Sequence, residues 1–284
     1  MSGNLKGAVL MSAAAVLFAV EVLMIRWMTA RGIPVEVQLF ARALGQLLWV
    51  TPRIATSGVA VFRTKRLPMH MVRGASSLIC WGLYYYSFTR LDMATGTVLS
   101  FTNVMFTTLL AAPILGERVD RWRWFGTIAG LLGVAVMLRP GAEVDALGAA
   151  AAIVAAIAWC GITLSSRSLT RTDSTLTVLA WVGVFTSLGV LPLAVTAWVP
   201  LGLVEMGLLL VIATVMPGII FLVTEALRHG EASAIAPFQY LRLVVVAAAG
   251  WILFNEVPDL FGWIGAVIIM TGAVVITVAE ARRR

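Results

Sequence analysis

The chain carries one pattern twice. Gly116-Glu117 is followed by Gly126 and Gly133, nine and sixteen residues after the glutamate; Asn255-Glu256 is followed by Gly265 and Gly272 at the same two spacings, 139 residues later. At that offset Asp92 answers to Glu231, Ala94 to Ser233 and Phe101 to Tyr240. Near the start of each half, Gly7, Phe18 and Arg26 answer to Gly148, Trp159 and Arg167 at an offset of 141. Charged and glycine positions align as well as leucines and alanines, which separates a duplication from coincidence in biased sequence. A duplicated half is one structural unit used twice. The two units are residues 1–140 and 141–284.

Composition identifies the solvent of those units. Of 284 residues, 60% are hydrophobic and 12% charged, against about 25% charged in an ordinary soluble domain. No soluble core of this size hides so much apolar surface, so lipid surrounds most of the chain. Ten apolar stretches, each near the length of a membrane span, cover 7–25, 35–52, 71–89, 93–115, 122–138, 147–166, 174–196, 203–227, 232–255 and 260–279. Short turns such as Arg31-Gly32-Ile33-Pro34 and Arg139-Pro140-Gly141 divide them, and the longest connection, 53–70, has no room for a soluble domain. The fold class is therefore an all-α membrane protein of ten transmembrane helices.

Charge sets the orientation. The net charge of +7 would suggest a nucleic-acid partner in a soluble protein, but here the basic residues sit in short loops and no nucleic acid is expected. With the N-terminus inside, fifteen Lys and Arg fall on the inner side and four on the outer, namely Arg26, Arg31, Arg90 and Arg139. Both termini are then cytoplasmic. Five spans per half is an odd number, so the second half crosses the membrane upside down relative to the first. Such inverted repeats occur in many secondary transporters, with the substrate between the halves. The first stretch follows a nearly uncharged start with no convincing cleavage site and reads as a retained span rather than a signal peptide.

Polar residues inside the spans are the candidates for chemistry, because each charge there costs about 2.5–3.5 kcal/mol on insertion scales. Arg42 lies mid-span with Gln38 and Gln46 one turn away on the same face. Glu21 in the first span is its natural partner, either as a structural ion pair or as a substrate or proton-coupling site. On span four, Gly96, Ser100, Asn103 and Thr107 share a face; on span nine, Gln239 and Arg242 do. The repeat pairs Ser100 with Gln239 and Asn103 with Arg242, the places where an inverted fold sets its site. The guanidinium of Arg242 suits a carboxylate. Trp81, Tyr85 and Trp159, near span centres, can stack a planar or apolar group. Against these stand ordinary interhelical hydrogen bonds and aromatic packing. Trp27, Trp49, Trp122, Trp124, Trp198, Trp251 and Trp263 near span ends read as an interfacial belt. The glycines behind Glu117 and Glu256 read as close-packing surfaces, within one chain or between two, so monomer and homodimer both stay open.

No catalytic machinery is visible. There is no phosphate-binding G-x-x-x-x-G-K loop, no H-E-x-x-H and no G-x-S-x-G. Only two histidines, His70 and His229, occur, both away from span centres, and Cys80 and Cys160 form no disulfide or metal pattern. No enzyme activity, metal or cofactor is expected.

Arg42, the Leu115-Gly116-Glu117-Arg118 turn with its following glycines, and the stretch Pro237-Phe238-Gln239-Tyr240 through Gly250-Trp251 to Asn255-Glu256-Val257-Pro258 resemble the drug/metabolite transporter superfamily, specifically its ten-helix EamA-type branch. The resemblance covers nearly the whole chain. It departs where many members carry proline in span four, thirteen residues before the glutamate: this chain has Val104 after Asn103, and Leu243 after Arg242 in span nine. The resemblance implies a multi-pass protein of the bacterial inner membrane that moves small organic metabolites by alternating access. The expected activity is export of amino acids, aromatic ones included. Uptake of a nucleotide-like metabolite or riboflavin is the alternative, and a non-transporting membrane enzyme or scaffold is the rival from another class. A transporter needs a central cavity touching both halves; a scaffold is packed solid along that seam.

Overall fold

The computed structural model describes residues 3–281 apart from 104, 107–109, 111–120, 138–143, 170–171, 230–237 and 239–240. Among the described residues the chain is helical and has no strand. The helices are α1 (Gly3–Ala30), α2 (Val35–Ser57), α3 (Leu67–Ser87), α4 (Met93–Ser100), α5 (Arg121–Met137), α6 (Ala146–Leu169), α7 (Thr175–Thr196), α8 (Leu203–His229), α9 (Leu241–Phe254) and α10 (Leu260–Ala281), with a 3-10 turn at Gly58–Phe62. Stretches 5–30, 146–166, 175–196 and 203–223 are long and apolar enough to cross a membrane by length and composition. In such a solvent a helix is the local solution, because it pairs its own backbone groups within the segment. The glutamate–glycine turn at 116–117 and the Arg139-Pro140-Gly141 turn lie outside the described residues.

Side-chain caps start several helices. The carboxylate of Asp92 accepts from Thr95 N–H at 2.7 Å, Asp145 from Gly148 N–H at 2.6 Å and Asp259 from Gly262 N–H at 2.7 Å; the hydroxyl of Ser174 accepts from Thr177 N–H at 3.1 Å. Each satisfies one of the donors a helix start leaves without a partner.

The fourth span departs from the continuous helix expected over 93–115. Regular helix ends at Ser100, Phe101 and Thr102 form a turn, and helical residues resume at Asn103. The N–H groups of Phe101 and Thr102 donate to Val98 and Leu99 oxygens at 3.0 and 3.1 Å, a 3-10 spacing, and Phe106 N–H returns to the four-residue bond with Thr102 at 3.0 Å. The hydroxyls of Ser100 and Thr102 donate to Thr97 and Leu99 oxygens, both at 2.6 Å. Those hydroxyls occupy carbonyls of the helical ladder, which bends a helix without proline.

The two halves interlock. The most extensive packing joins α5 to α10, α3 to α6, α1 to α8 and α2 to α7, each pair drawn from both halves. Exchanging α1–α5 for α6–α10 carries α1·α8 onto α3·α6, α2·α8 onto α3·α7 and α1·α9 onto α4·α6, and leaves α2·α7, α4·α9 and α5·α10 in place. At the α5–α10 seam, a Cβ on Gly133 would lie 2.9 Å from Gly265 O, and one on Gly272 would lie 2.5 Å from Gly126 O. The glycines thus join helices of one chain, which places their packing role inside the protomer.

Candidate functional site

The central helices meet around two arginines. Arg42 Nε donates to Glu21 Oε1 at 3.0 Å, with side chains 4% and 0% exposed. Tyr85 hydroxyl donates to the same oxygen at 2.8 Å. The Arg42 guanidinium carbon sits 3.5 Å from the centre of the Trp81 ring. Charge, hydrogen bond and ring face together satisfy a cation that apolar surroundings would otherwise reject. Gln38, on the same face of α2, is buried and donates to Ile33 O at 2.9 Å and Thr29 Oγ1 at 3.1 Å; Gln46 is buried too.

Arg242 on α9 is held differently. Its Nη2 donates to Ser100 Oγ at 2.7 Å, where α4 breaks. Its guanidinium carbon lies 4.5 Å from the Phe101 ring centre and 5.2 Å from that of Phe18. Among the described residues no carboxylate pairs with it, and its buried Nε has no hydrogen-bond partner.

Between these arginines lies a cavity lined by Trp81, Tyr84, Ser100, Asn103, Trp159 and Arg242, with Phe18, Cys80, Ala155 and Ala156 closing its walls. Both halves contribute. Its volume of about 40 Å³ suits a few waters; pockets for organic ligands run to about 300 Å³ and more. Trp81 is T-shaped against Trp159, centroids 5.8 Å apart, and against Tyr84 at 5.7 Å. The Tyr84 hydroxyl is buried without a partner. A larger crevice of about 360 Å³ lies between α9 and α10, but its walls are apolar and include the exposed Trp251 and Val244.

Two further clusters of polar contacts tie the helices together outside the cavity lining. In one, Arg26 Nη2 meets Glu256 Oε1 at 2.7 Å, Arg26 Nη1 donates to Phe88 O at 2.9 Å, and Glu256 Oε2 accepts from Met93 N–H at 2.8 Å. Asn255 makes the turn with φ of 55°, a left-handed conformation asparagine tolerates better than most residues. Arg90 and Asp145 pair nearby at 3.3 Å. Where α3 begins and α6 ends, Thr64 Oγ1 and His70 Nε2 reach Asp173 Oδ2 at 2.6 and 2.7 Å. Arg66 donates to the carbonyl and hydroxyl of Ser168, both at 2.6 Å, and Arg73 Nε to Ser166 Oγ at 2.9 Å. Burial alone would raise the Asp173 carboxyl, but hydrogen bonds from Thr64, His70 and Thr172 outweigh it and hold the group below the ordinary carboxylate range.

Of the residues nominated from sequence, Ser100, Asn103, Trp81, Trp159 and Arg242 share the cavity wall. Tyr85 is fully buried and points to Glu21 instead; Arg42 and Glu21 stand behind Trp81 rather than in the lining. Gln239 lies outside the described residues, as does Thr107. Sequence reasoning passed over Phe18, Tyr84 and Phe101 as parts of the site. Phe18 was the repeat counterpart of Trp159 and Phe101 that of Tyr240, so the duplication carried the signal. The seven tryptophans assigned to span ends are all exposed.

The EamA-like transporter family model matches this chain twice, over residues 5–139 and 146–278. The chain is 30% identical over 243 residues to an S-adenosylmethionine uptake transporter of Rickettsia prowazekii (strain Madrid E), covering 86% of this chain and 83% of the relative. It is 28% identical to the pseudopaline exporter CntI of Pseudomonas aeruginosa (strain UCBPP-PA14), over 85% of each chain. It is 26% identical to a riboflavin transporter of Vibrio cholerae serotype O1, over 98% of this chain and 95% of that one. One solved crystal structure aligns with 98% of this chain and 99% of its own, at a TM-score of 0.66 and 19% identity, a likeness of fold.

Proposed function

This chain belongs to the EamA-like transporter family, and on that premise we propose that it is a secondary carrier of amino-acid-like metabolites working by alternating access. The observation that carries this reading is Arg242. It lines a cavity on the seam between the halves, framed by Trp81, Tyr84 and Trp159, and its buried Nε has no hydrogen-bond partner. A guanidinium that is not neutralised by the protein invites a carboxylate from the cargo. The aromatic walls suit a planar or apolar body. Asn103, Ser100 and, by the repeat, Gln239 supply further hydrogen bonds.

In this reading residues 1–140 and 141–284 are inverted five-helix repeats, and the exchange symmetry of helix packing supports it. Both termini face the cytoplasm, and the multi-pass chain resides in a bacterial inner membrane. The Arg26–Glu256 contacts gate one side and the Asp173 cluster the other. Opening either enlarges a cavity too small for cargo when both are closed. Glu21 is assigned as the structural partner of Arg42, since Arg42 and Tyr85 both bind its Oε1.

Amino acids with aromatic or apolar side chains and adenosyl amino acids are the first cargoes to try; the relatives named for S-adenosylmethionine uptake favour the second group. The test is flux into and out of proteoliposomes holding the purified chain. Saturable flux of a compound bearing an amino acid group, lost in Arg242→Gln, is expected. Flux of riboflavin alone, or no flux of any such compound, would overturn the reading.

A further inference from the structure

We propose that the cavity discriminates against cargo carrying a fixed positive charge, and that Arg242 sets this preference with Arg42 reinforcing it. The cargo class is thereby narrowed to amino acid conjugates whose planar or apolar body is neutral or anionic. The inference rests on the carrier reading above.

An aromatic-lined cavity ordinarily suits a cation, because ring faces carry negative charge density. Here the protein's own cations already engage two of the four aromatic rings in the lining, Trp81 and Phe18. Arg42 covers a face of Trp81 at 3.5 Å, and Arg242 lies 4.5 Å from Phe101 and 5.2 Å from Phe18. A second cation on a ring already facing a guanidinium gains less from that ring and is repelled by the first.

The carboxylates tell the same story. Among the described residues the cavity lining includes Arg242 and no Asp or Glu. The nearby acid, Glu21, is engaged by Arg42 and Tyr85. With Arg42 and Glu21 paired, Arg242 adds an uncompensated positive charge at the cavity wall. Its Nη2 donates to Ser100, its buried Nε has no partner, and the residue lines the cavity with no acid to neutralise it. A carboxylate docking there restores neutrality. A sulfonium or quaternary ammonium in the same small volume leaves the excess in place, where screening by water is weak. Trp159 and the unpartnered Tyr84 hydroxyl then serve a planar heterocycle rather than a cation.

The relatives divide along this line. A transporter named for S-adenosylmethionine handles a sulfonium, whereas one named for riboflavin handles a flavin without a fixed positive charge. The charges around this cavity fit the second kind of body, attached to an amino acid group.

Two matched pairs isolate the charge: S-adenosylhomocysteine against S-adenosylmethionine, and methionine against S-methylmethionine. Each pair differs by one methyl group and one positive charge. Affinity is read by competition in the proteoliposome flux assay and by ligand-induced shifts in thermal unfolding. In the wild-type chain the thioether is expected to bind at least about tenfold more tightly than the sulfonium, the scale of a close like-charge contact in a partly screened site. Arg242→Gln, first checked for a monodisperse profile and a cooperative unfolding transition, should weaken the thioether and shrink the ratio to within about threefold. Arg242→Lys should keep the ratio while binding both more weakly, since it retains the charge and loses the fork. If the sulfonium binds as well as the thioether, or if the ratio survives in Arg242→Gln, the charge filter is wrong and the carrier reading stands. If no member of either pair binds or moves, the filter falls, and the carrier reading falls with it only if no other compound bearing an amino acid group moves.

Discussion

Arg42 and Arg242 are the same side chain set in similar apolar helices, and the chain treats them in opposite ways. Arg42 is enclosed: Glu21 neutralises it, Tyr85 shares the carboxylate and Trp81 covers its face. Arg242 is exposed to the cavity, held by Ser100 and bordered by Phe18 and Phe101, with no acid beside it among the described residues. The difference teaches how to divide structure from function in a membrane interior. A charge whose needs are met within the protein serves the fold. A charge left with an open donor beside a cavity is, on the proposed reading, kept for a ligand.

The sharpest way to break this division is Glu21→Gln. Removing one partner of a buried pair strands the other charge, so the expected loss is about 3–5 kcal/mol of stability, read as a lowered unfolding transition in detergent. The double variant Glu21→Gln with Arg42→Met should recover most of it, because both charges are then gone. If Glu21→Gln keeps wild-type stability and instead abolishes dependence of flux on a pH gradient, Glu21 is a proton carrier and the division fails.

Arg242→Gln is the mirror experiment. Its stability should fall by no more than about 1 kcal/mol, since losing the bond to Ser100 is offset by removing an unpaired buried charge. Its affinity for a carboxylate cargo should fall by about 30-fold or more, the lower end for truncating one side of a desolvated charge pair. A variant as unstable as Glu21→Gln would make Arg242 structural too. Tyr85→Phe then grades the enclosure of Arg42: one of two donors to Glu21 Oε1 is lost, and stability should drop by about 1–2 kcal/mol with flux selectivity unchanged. Altered selectivity in that variant would return Tyr85 to the site.

The enclosed arginine was legible in the sequence, because a charge inside an apolar span demands a partner and Glu21 was the acid at matching depth. The glycine faces were legible as well, since a Cβ is what keeps two helices apart. The rest depended on facts that local pattern does not hold. Tyr84 and Tyr85 are adjacent, so on a helix they point about 100° apart. Apolar sequence does not say which of them faces the cavity. Phe18 and Phe101 look like core residues because they are apolar, and only the fold sets both rings beside Arg242 and Phe18 in the cavity wall. The break in α4 has no proline or glycine at Phe101–Thr102 to announce it; Ser100 and Thr102 hydroxyls make it by binding carbonyls of the preceding turn. Interlocking of the halves is a property of helix neighbours, which a periodicity within one helix cannot encode.

The Asp173 cluster tests the division at its edge, and here the expected effect is smallest. Asp173 lies between α6 and α7, outside the apolar core, and its carboxyl is held below the ordinary range by Thr64, His70 and Thr172 despite burial. A depressed folded-state value means that the ionised group stabilises the fold above the unfolded-state value, about 3.9, and that this contribution disappears as pH falls through the lower folded value. Unfolding followed from pH 7 downward should therefore show Asp173's contribution intact and unchanging above about pH 5 and progressively lost below about pH 4. Asp173→Asn should flatten that acid limb and lower stability slightly at neutral pH, while leaving the thioether-to-sulfonium ratio untouched. Were the ratio to change with Asp173→Asn, the contacts at this end would be coupled to the charge at Arg242, and the cavity and its closure would have to be treated as one electrostatic unit.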